Sequence, residues 1–214
     1  IQDFTDTMPF TQQRTATVWR SLDAGVRVAN WLDAWQILKA EQAAPKDFEQ
    51  ILQAAVREHA QYLLRVDTVF CRLSNWGVIG NAALYQAALY LQDETMMHTA
   101  ECRLADEAAL QIMPDGFHWE QSPMYHAEVL ASLLKAVRLA RVYGRALPAP
   151  IAENTRKLCL AFVQSAKPNH HQFLQSDSDD TDLRDLITQG AVLFNDAQLK
   201  FGGFIQPDFE TLFW

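Results

Sequence analysis

Long apolar runs are missing from the 214 residues of this chain, and its first ten residues do not have the pattern of a secretory leader. No apolar stretch approaches the roughly 18 to 20 residues needed to span a bilayer, so we predict no membrane segment and no membrane partner. Ile1–Phe10 contains Asp3 and Asp6 and has neither a basic start nor a long apolar centre, which does not fit a secretory signal. A composition of 49% hydrophobic and 21% charged residues predicts one globular domain, or a large part of one.

Cysteine is scarce, with Cys71, Cys102 and Cys159 lying far apart in the sequence. These spacings support neither a disulfide framework nor a zinc site, and we expect each thiol to be free and buried in a helix. The adjacent histidines His170 and His171 also lack the spacing of metal ligands, and we expect them to lie in a loop. We therefore predict no metal and no cofactor. The cysteine usage slightly favours a reducing compartment such as the cytoplasm, with the periplasm as the alternative.

An excess of basic charge is absent as well, since the formal net charge is −8. This balance argues against nucleic acid as a partner, because nucleic-acid binding needs a basic face. It also provides no long-range attraction for a polyanion. A site for an anionic ligand would need local cations, although most of the candidates are expected to be solvated on helix faces; they are Arg20, Arg27, Arg65, Arg72 and Arg103.

Helical periodicity fills most of the chain, and neither a strong strand signal nor a repeated motif is present. We predict an all-α fold of antiparallel helical hairpins, which close as a bundle or curve as an incomplete (α/α) toroid or barrel. A short hairpin is allowed across Ile112–Trp119, and the tail Phe201–Trp214 is predicted to be irregular. Helices are predicted over about 17–40, 45–64, 77–91, 93–112, 122–144, 150–165 and 181–193.

The segment Asp115–His126 is the most informative one for function. Ser122 followed by Pro123 is a strong helix start, because serine caps free backbone N–H groups and proline suits the first helical position. Tyr125 then falls in the first turn, where the positive end of the helix dipole favours an ionised phenol. The spacing alone favours the alternative, an aromatic residue that packs into the core.

Four segments, in the same order along the chain, resemble those of the heparinase II/III-like polysaccharide lyases of bacteria. Asp115–His126 is similar to the pattern DG…E-x-S-P-x-Y-H, and Trp19–Arg27 is similar to W-R-x-L-x-A-G-x-R. Ser74–Trp76 resembles the N-[HW] segment of the family, and Ser176–Asp182 resembles its G-D-S-D loop. For the last of these, helix capping by acidic residues is favoured over calcium binding, because the glycine and glutamate of an EF-hand are missing.

The resemblance implies β-elimination on a polysaccharide that contains uronic acid. A polar group neutralises the carboxylate of the sugar, a base removes the C5 proton, and an acid protonates the departing O4 oxygen. Tyr125 corresponds to the family's tyrosine, which is the acid and also a candidate for the base. Asn75 corresponds to the carboxylate neutraliser, with Asn81 as its rival. Trp76 stands where some members have histidine.

Substrate contacts are expected around these residues, each with a structural alternative. His126 lines the cleft or hydrogen-bonds within the first helical turn. Glu120 contacts sugar hydroxyls or helps to cap the helix. Trp76 and Trp119 stack on sugar rings, as flat apolar faces do, or pack in the core.

The resemblance also implies that residues 1–214 are a fragment of a longer enzyme, which adds a β-sandwich domain on the C-terminal side. That domain supplies part of the cleft and usually another catalytic histidine, so we expect this chain alone to be inactive. Two other classes stay open: another (α/α) carbohydrate enzyme such as a glycoside hydrolase, and a non-catalytic helical carbohydrate-binding or interaction module.

Overall fold

The computed structural model describes residues 1–203, and these residues confirm the all-α class. They contain one 3₁₀ helix over Gln12–Ala16 and, outside isolated bridges, no β-structure. The ten α-helices of residues 1–203 are α1 Gln2–Thr7, α2 Ser21–Ala40, α3 Phe48–Arg65, α4 Val69–Arg72, α5 Asn75–Leu91, α6 Glu94–Gln111, α7 Pro123–Val142, α8 Ala149–Ser165, α9 Arg184–Phe194 and α10 Ala197–Gly203.

All seven helices expected from periodicity are present, and two of their capping predictions are confirmed. The Asp93 carboxylate accepts the Met96 N–H at 2.9 Å at the start of α6. Ser122 is the N-cap of α7, with Pro123 in the first turn. The predicted hairpin also forms, as a single antiparallel bridge between Ile112 and His118.

Short helices account for the main differences from prediction. The helices α1, α4 and α10 and the 3₁₀ turn have four to seven residues each, too few for a periodic pattern to show. The tail was predicted to be irregular from Phe201, but the residues from Phe201 to Gly203 are helical and form the end of α10. The remainder of that tail, residues 204–214, lies outside the described residues.

The chain divides into two compact units, and the first comprises Ile1–Arg72 and Trp76–Arg103. Its core is rich in aromatic side chains, with Trp19 fully buried and its ring centroid 4.2 Å from that of His59. The indole N–H of Trp19 donates to the Met8 carbonyl at 2.8 Å. Helices α2 and α5 approach so closely that a Cβ on Gly25 would lie 3.1 Å from the Cα of Gly80.

The second unit comprises Leu73–Asn75 and the chain from Leu104 onwards. Helices α7, α8, α9 and α10 pack on one another around a fully buried aliphatic core. Gly116 closes the turn before α7 with a φ of +89°, and a Cβ there would lie 2.6 Å from the Lys157 carbonyl oxygen. Only glycine combines this conformation with this contact, so the turn is held firmly against α8.

The three cysteines are free, but only two match the expectation of burial. Cys71 and Cys159 are buried, whereas Cys102 is exposed. His170 and His171 lie outside the helices, as expected, and the backbone of His171 forms an isolated antiparallel β-bridge with that of Asp182. Across residues 1–203, no three potential metal-ligating side chains cluster together. None of the helices described is both long and apolar enough to cross a membrane.

Candidate active site at the start of helix α7

The backbone at the start of α7 is fixed by Ser122. Its side-chain oxygen accepts the Tyr125 N–H at 3.4 Å, and its carbonyl accepts the His126 N–H at 2.9 Å. Pro123 has no N–H to satisfy, so it fits the first helical position. These contacts place Tyr125 in the first turn of α7, half-buried, as the sequence predicts.

The loop Ser176–Asp182 provides a second cap for α7, a contact that the sequence did not predict. The Ser178 side-chain oxygen accepts the Met124 N–H at 3.2 Å and lies 3.1 Å from the hydroxyl of Ser122. Capping by this loop was expected at the helix that follows it, where Asp182 does accept the Arg184 N–H at 3.0 Å. The loop therefore caps two helices, α7 and α9.

The phenol of Tyr125 donates a hydrogen bond to the Asp177 carboxylate. This bond is the first cause of a raised pKa for Tyr125, followed by desolvation and by the negative charges of Asp177 and Glu120. Because both carboxylates disfavour a phenolate, Tyr125 stays protonated at neutral pH. The shift is opposite to the one expected from the helix dipole alone, since carboxylates close to the phenol outweigh the partial charge of the helix end.

Glu120 connects Asn75 to this environment. One carboxylate oxygen accepts the Asn75 backbone N–H at 2.8 Å, and the other accepts the Asn75 side-chain amide at 2.9 Å. Glu120 therefore caps the start of α5, and not α7 as the sequence suggested. The same carboxylate raises the pKa of Tyr125, so one residue brings together the environments of Asn75 and Tyr125.

Two buried histidines support the turn beneath α7. The His126 ring accepts the His118 backbone N–H at Nδ1 (3.3 Å) and lies 3.0 Å from the Leu158 carbonyl through Nε2. His118 Nε2 lies 2.8 Å from the Gln111 side-chain oxygen. Burial lowers the pKa of His126 to about 3 and that of His118 to about 4, so both rings are neutral near pH 7.

The other predicted contact residues have contrasting settings. In the second unit, Trp119 exposes 42% of its surface next to Glu120. In the first unit, Trp76 is half-buried. The centroid of its ring lies 5.2 Å from that of Phe70 and 5.5 Å from the Arg20 guanidinium. Asn81 is also in the first unit and is buried in the middle of α5.

A half-open pocket of about 260 Å³ adjoins the start of α7 in the second unit. Its wall combines apolar rings with amides and a carboxylate, a mixture suited to a sugar ring with its hydroxyl groups. The lining residues include Asp115, Phe117, Gln121, His126, Phe173 and Gln175.

Comparison with known proteins identifies the family. The family described as the heparinase II/III N-terminus matches residues 1–201, which include all the predicted site residues. The chain belongs to this family. Among curated proteins, none matches the chain.

Solved structures of heparinases share the fold. A crystal structure of heparinase III superposes with a TM-score of 0.77 at 22% identity, covering 94% of this chain and 33% of that one. A mutant of the heparan sulfate lyase HepC from Pedobacter heparinus gives a TM-score of 0.72 at 19% identity, with the same coverages. The chain thus spans about a third of these proteins. At such identities the likeness shows the fold and confirms the predicted fold class.

Proposed function

We propose that this chain is the helical part of a lyase that cleaves uronic-acid-containing polysaccharides by β-elimination. The observation that carries the proposal is that the Glu120 carboxylate is bonded to Asn75 and also acts electrostatically on Tyr125. A protonated phenol and an oriented amide are the two groups that elimination requires from this part of the cleft. Family membership and the solved relatives, which are named heparinase and heparan sulfate lyase, support the substrate class.

In the proposed reaction, Asn75 acts on the carboxylate of the sugar and Tyr125 acts on the departing O4 oxygen. The Asn75 amide has two N–H donors, and Glu120 occupies one of them, so the second serves the substrate carboxylate. Neutralising that carboxylate acidifies the C5 proton. Tyr125 then protonates O4 as the C4–O4 bond breaks. The raised pKa of Tyr125 favours the acid's role over the base's.

The remaining predicted residues bind the sugar or position the catalytic residues in this proposal. Trp119, which is exposed, stacks on a sugar ring beside the reacting bond, and Trp76 offers a second ring directly after Asn75 in the sequence. Glu120 orients Asn75. His126 is 1% exposed and bonded to two backbone groups, so it holds α7 in place. Asn81 remains the rival of Asn75 as neutraliser.

We further propose that a second domain of the full-length protein, a β-sandwich, completes the cleft and contributes the base. This rests on the relatives being about three times as long as the matched region, and on the raised pKa of Tyr125, which leaves proton abstraction at C5 to another group. Residues 1–214 alone are therefore expected to bind weakly and to be inactive.

A glycoside hydrolase is the second candidate, because Glu120 and Asp177 place two carboxylates near Tyr125. Hydrolysis by paired carboxylic acids would use one as acid and the other as base or nucleophile. The products separate the two reactions, since hydrolysis forms no new double bond.

The test is to incubate the full-length protein with a panel of uronate polysaccharides and to follow the ultraviolet absorbance of unsaturated uronate. Asn75→Ala and Asn81→Ala are compared under the same conditions. We expect unsaturated product from the unmodified protein, loss of at least about 100-fold in Asn75→Ala and near-normal rates in Asn81→Ala. New reducing ends without absorbance would indicate the hydrolase, and loss confined to Asn81→Ala would transfer the neutraliser's role.

A further inference from the structure

We propose that Asp177 is a positioning residue, which holds the Tyr125 phenol in place and in its protonated form so that Tyr125 serves as the acid. This inference rests on the proposed function and adds a residue that lies 52 positions from Tyr125 in the sequence. The geometry that carries it is the hydrogen bond from the phenol to Asp177, within a loop that is itself held at several points.

The loop around Asp177 is anchored on both sides. Immediately after it, Ser178 accepts a backbone N–H of α7 and contacts the Ser122 hydroxyl. Just before it, the Gln175 side-chain amide donates to the Gln121 carbonyl at 3.2 Å. Asp177 therefore reaches the phenol from an anchored loop, in which Gln175 is bonded to the residue before the cap of α7 and Ser178 to the first turn of α7.

Further along, the base of the loop is fixed by contacts within the second unit. Lys167 and Asp180 form an ion pair at 2.7 Å. The Gln172 backbone N–H donates to the Thr181 carbonyl at 2.9 Å. Because these bonds order the loop before substrate arrives, holding Tyr125 costs little additional conformational entropy.

Electrostatics gives the contact with Asp177 its chemical consequence. Among the described residues, the charged groups that act on the phenol are Asp177 and Glu120, and both are negative. A phenolate beside these charges is disfavoured, so the proton stays on Tyr125 until the leaving group needs it. The proton is therefore available to O4 when the C4–O4 bond breaks.

Atoms and electrons balance in the elimination step. The base takes the C5 proton, the C5–H electron pair forms the C4=C5 double bond, and the C4–O4 bond breaks. O4 takes the proton of Tyr125, whose O–H electron pair stays on the phenolate oxygen. The adjacent Asp177 charge then favours return of a proton from water to Tyr125. Asp177 is exposed, so a sugar oxygen has room to replace it as the acceptor.

Asp177→Asn in the full-length protein is the direct test, because asparagine keeps the shape and removes the charge. Asp179→Asn is the matched control, as it removes the same charge from the same loop at an exposed position. The titration of Tyr125 is read as the difference in tyrosinate absorbance between each protein and the same protein carrying Tyr125→Phe. The pH profile of lyase turnover is recorded in parallel.

We expect Asp177→Asn to move the Tyr125 titration and the alkaline limb of the pH profile down by about one pH unit. Asp179→Asn should shift both by less than about 0.3 units, and Asp177→Glu should restore the unmodified titration. An unmoved titration in folded Asp177→Asn overturns the inference. A shifted titration in a protein that makes no unsaturated product supports the hold on Tyr125 and rejects the lyase reaction, so the two proposals fail separately.

Discussion

Each of the two compact units buries histidines that are neutral near pH 7, but the two candidate catalytic residues, Tyr125 and Asn75, both belong to the second unit. In the first unit His59 packs against Trp19, accepts from the Arg27 guanidinium at 3.2 Å, and has a pKa lowered to about 4 by burial. In the second unit His118 and His126 lie below a helix start that carries Tyr125. A buried histidine is thus a structural element in both, and what distinguishes the site is the set of carboxylates around a partly exposed phenol.

The largest expected effect is the loss of stability in acid, which should be greater in the second unit than in the first. A histidine with a depressed folded pKa leaves stability unchanged above its unfolded pKa of about 6.5 and lowers it as the pH falls towards the folded value. The loss is about 1.4 kcal/mol per pH unit for each histidine. From pH 6.5 to 4.5, the second unit, with His118 and His126, should lose about 5 kcal/mol, and the first, with His59, about 2.5 kcal/mol.

Hydrogen exchange with peptide resolution, measured across this pH range, reads the two units separately. We expect protection to fall more steeply in α7 and α8 than in α2 and α3. Equal slopes, or a steeper one in the first unit, would break the comparison.

The next effect contrasts the tryptophans of the two units. Trp19 is fully buried and bonded to Met8, so Trp19→Ala should lower the free energy of unfolding by about 3–5 kcal/mol. Trp119 is 42% exposed, and Trp119→Ala should cost less than about 1 kcal/mol. It should instead raise KM for the polysaccharide. Urea unfolding and steady-state kinetics measure the two effects, and a large stability loss in Trp119→Ala would assign that ring to the core.

The smallest effect tests how tightly the turn before α7 is held. Gly116 and Gly144 both have positive φ, but a Cβ added at Gly116 would lie 2.6 Å from a backbone oxygen, whereas one added at Gly144 would meet open space. Gly116→Ala should cost about 3 kcal/mol from strain and crowding together, and Gly144→Ala about 1 kcal/mol from strain alone. Thermal unfolding of the two variants provides the comparison. Similar losses would show that the turn yields easily and does not fix the site.

Local signals made much of the fold predictable. Ser122 with Pro123, and Asp93 before α6, are caps whose partners lie within four residues, so the sequence displays them directly. Long amphipathic or apolar stretches gave the seven longer helices. The short helices escaped because one or two turns contain too few residues to establish a period.

The site was predictable only in part, because its key contacts join distant segments. Tyr125 and Asn75 came from the resemblance, whereas the bonds that orient them did not. Glu120 reaches Asn75 across 45 positions, and Asp177 reaches Tyr125 across 52. No periodicity connects such pairs. The one available signal was the acidic loop Ser176–Asp182, which also contains serine. The sequence suggested that this loop caps the helix that follows it, α9, and did not indicate its contacts with α7.

The central claim is that Tyr125 is the acid of a lyase, and one matched pair of variants tests it most directly. Tyr125→Phe and Tyr143→Phe are made in the full-length protein; Tyr143 lies at the other end of α7 and is 50% exposed. Formation of unsaturated uronate is measured for both. We predict a loss of at least about 100-fold in Tyr125→Phe and less than about twofold in Tyr143→Phe. Near-normal elimination by folded Tyr125→Phe would contradict the account.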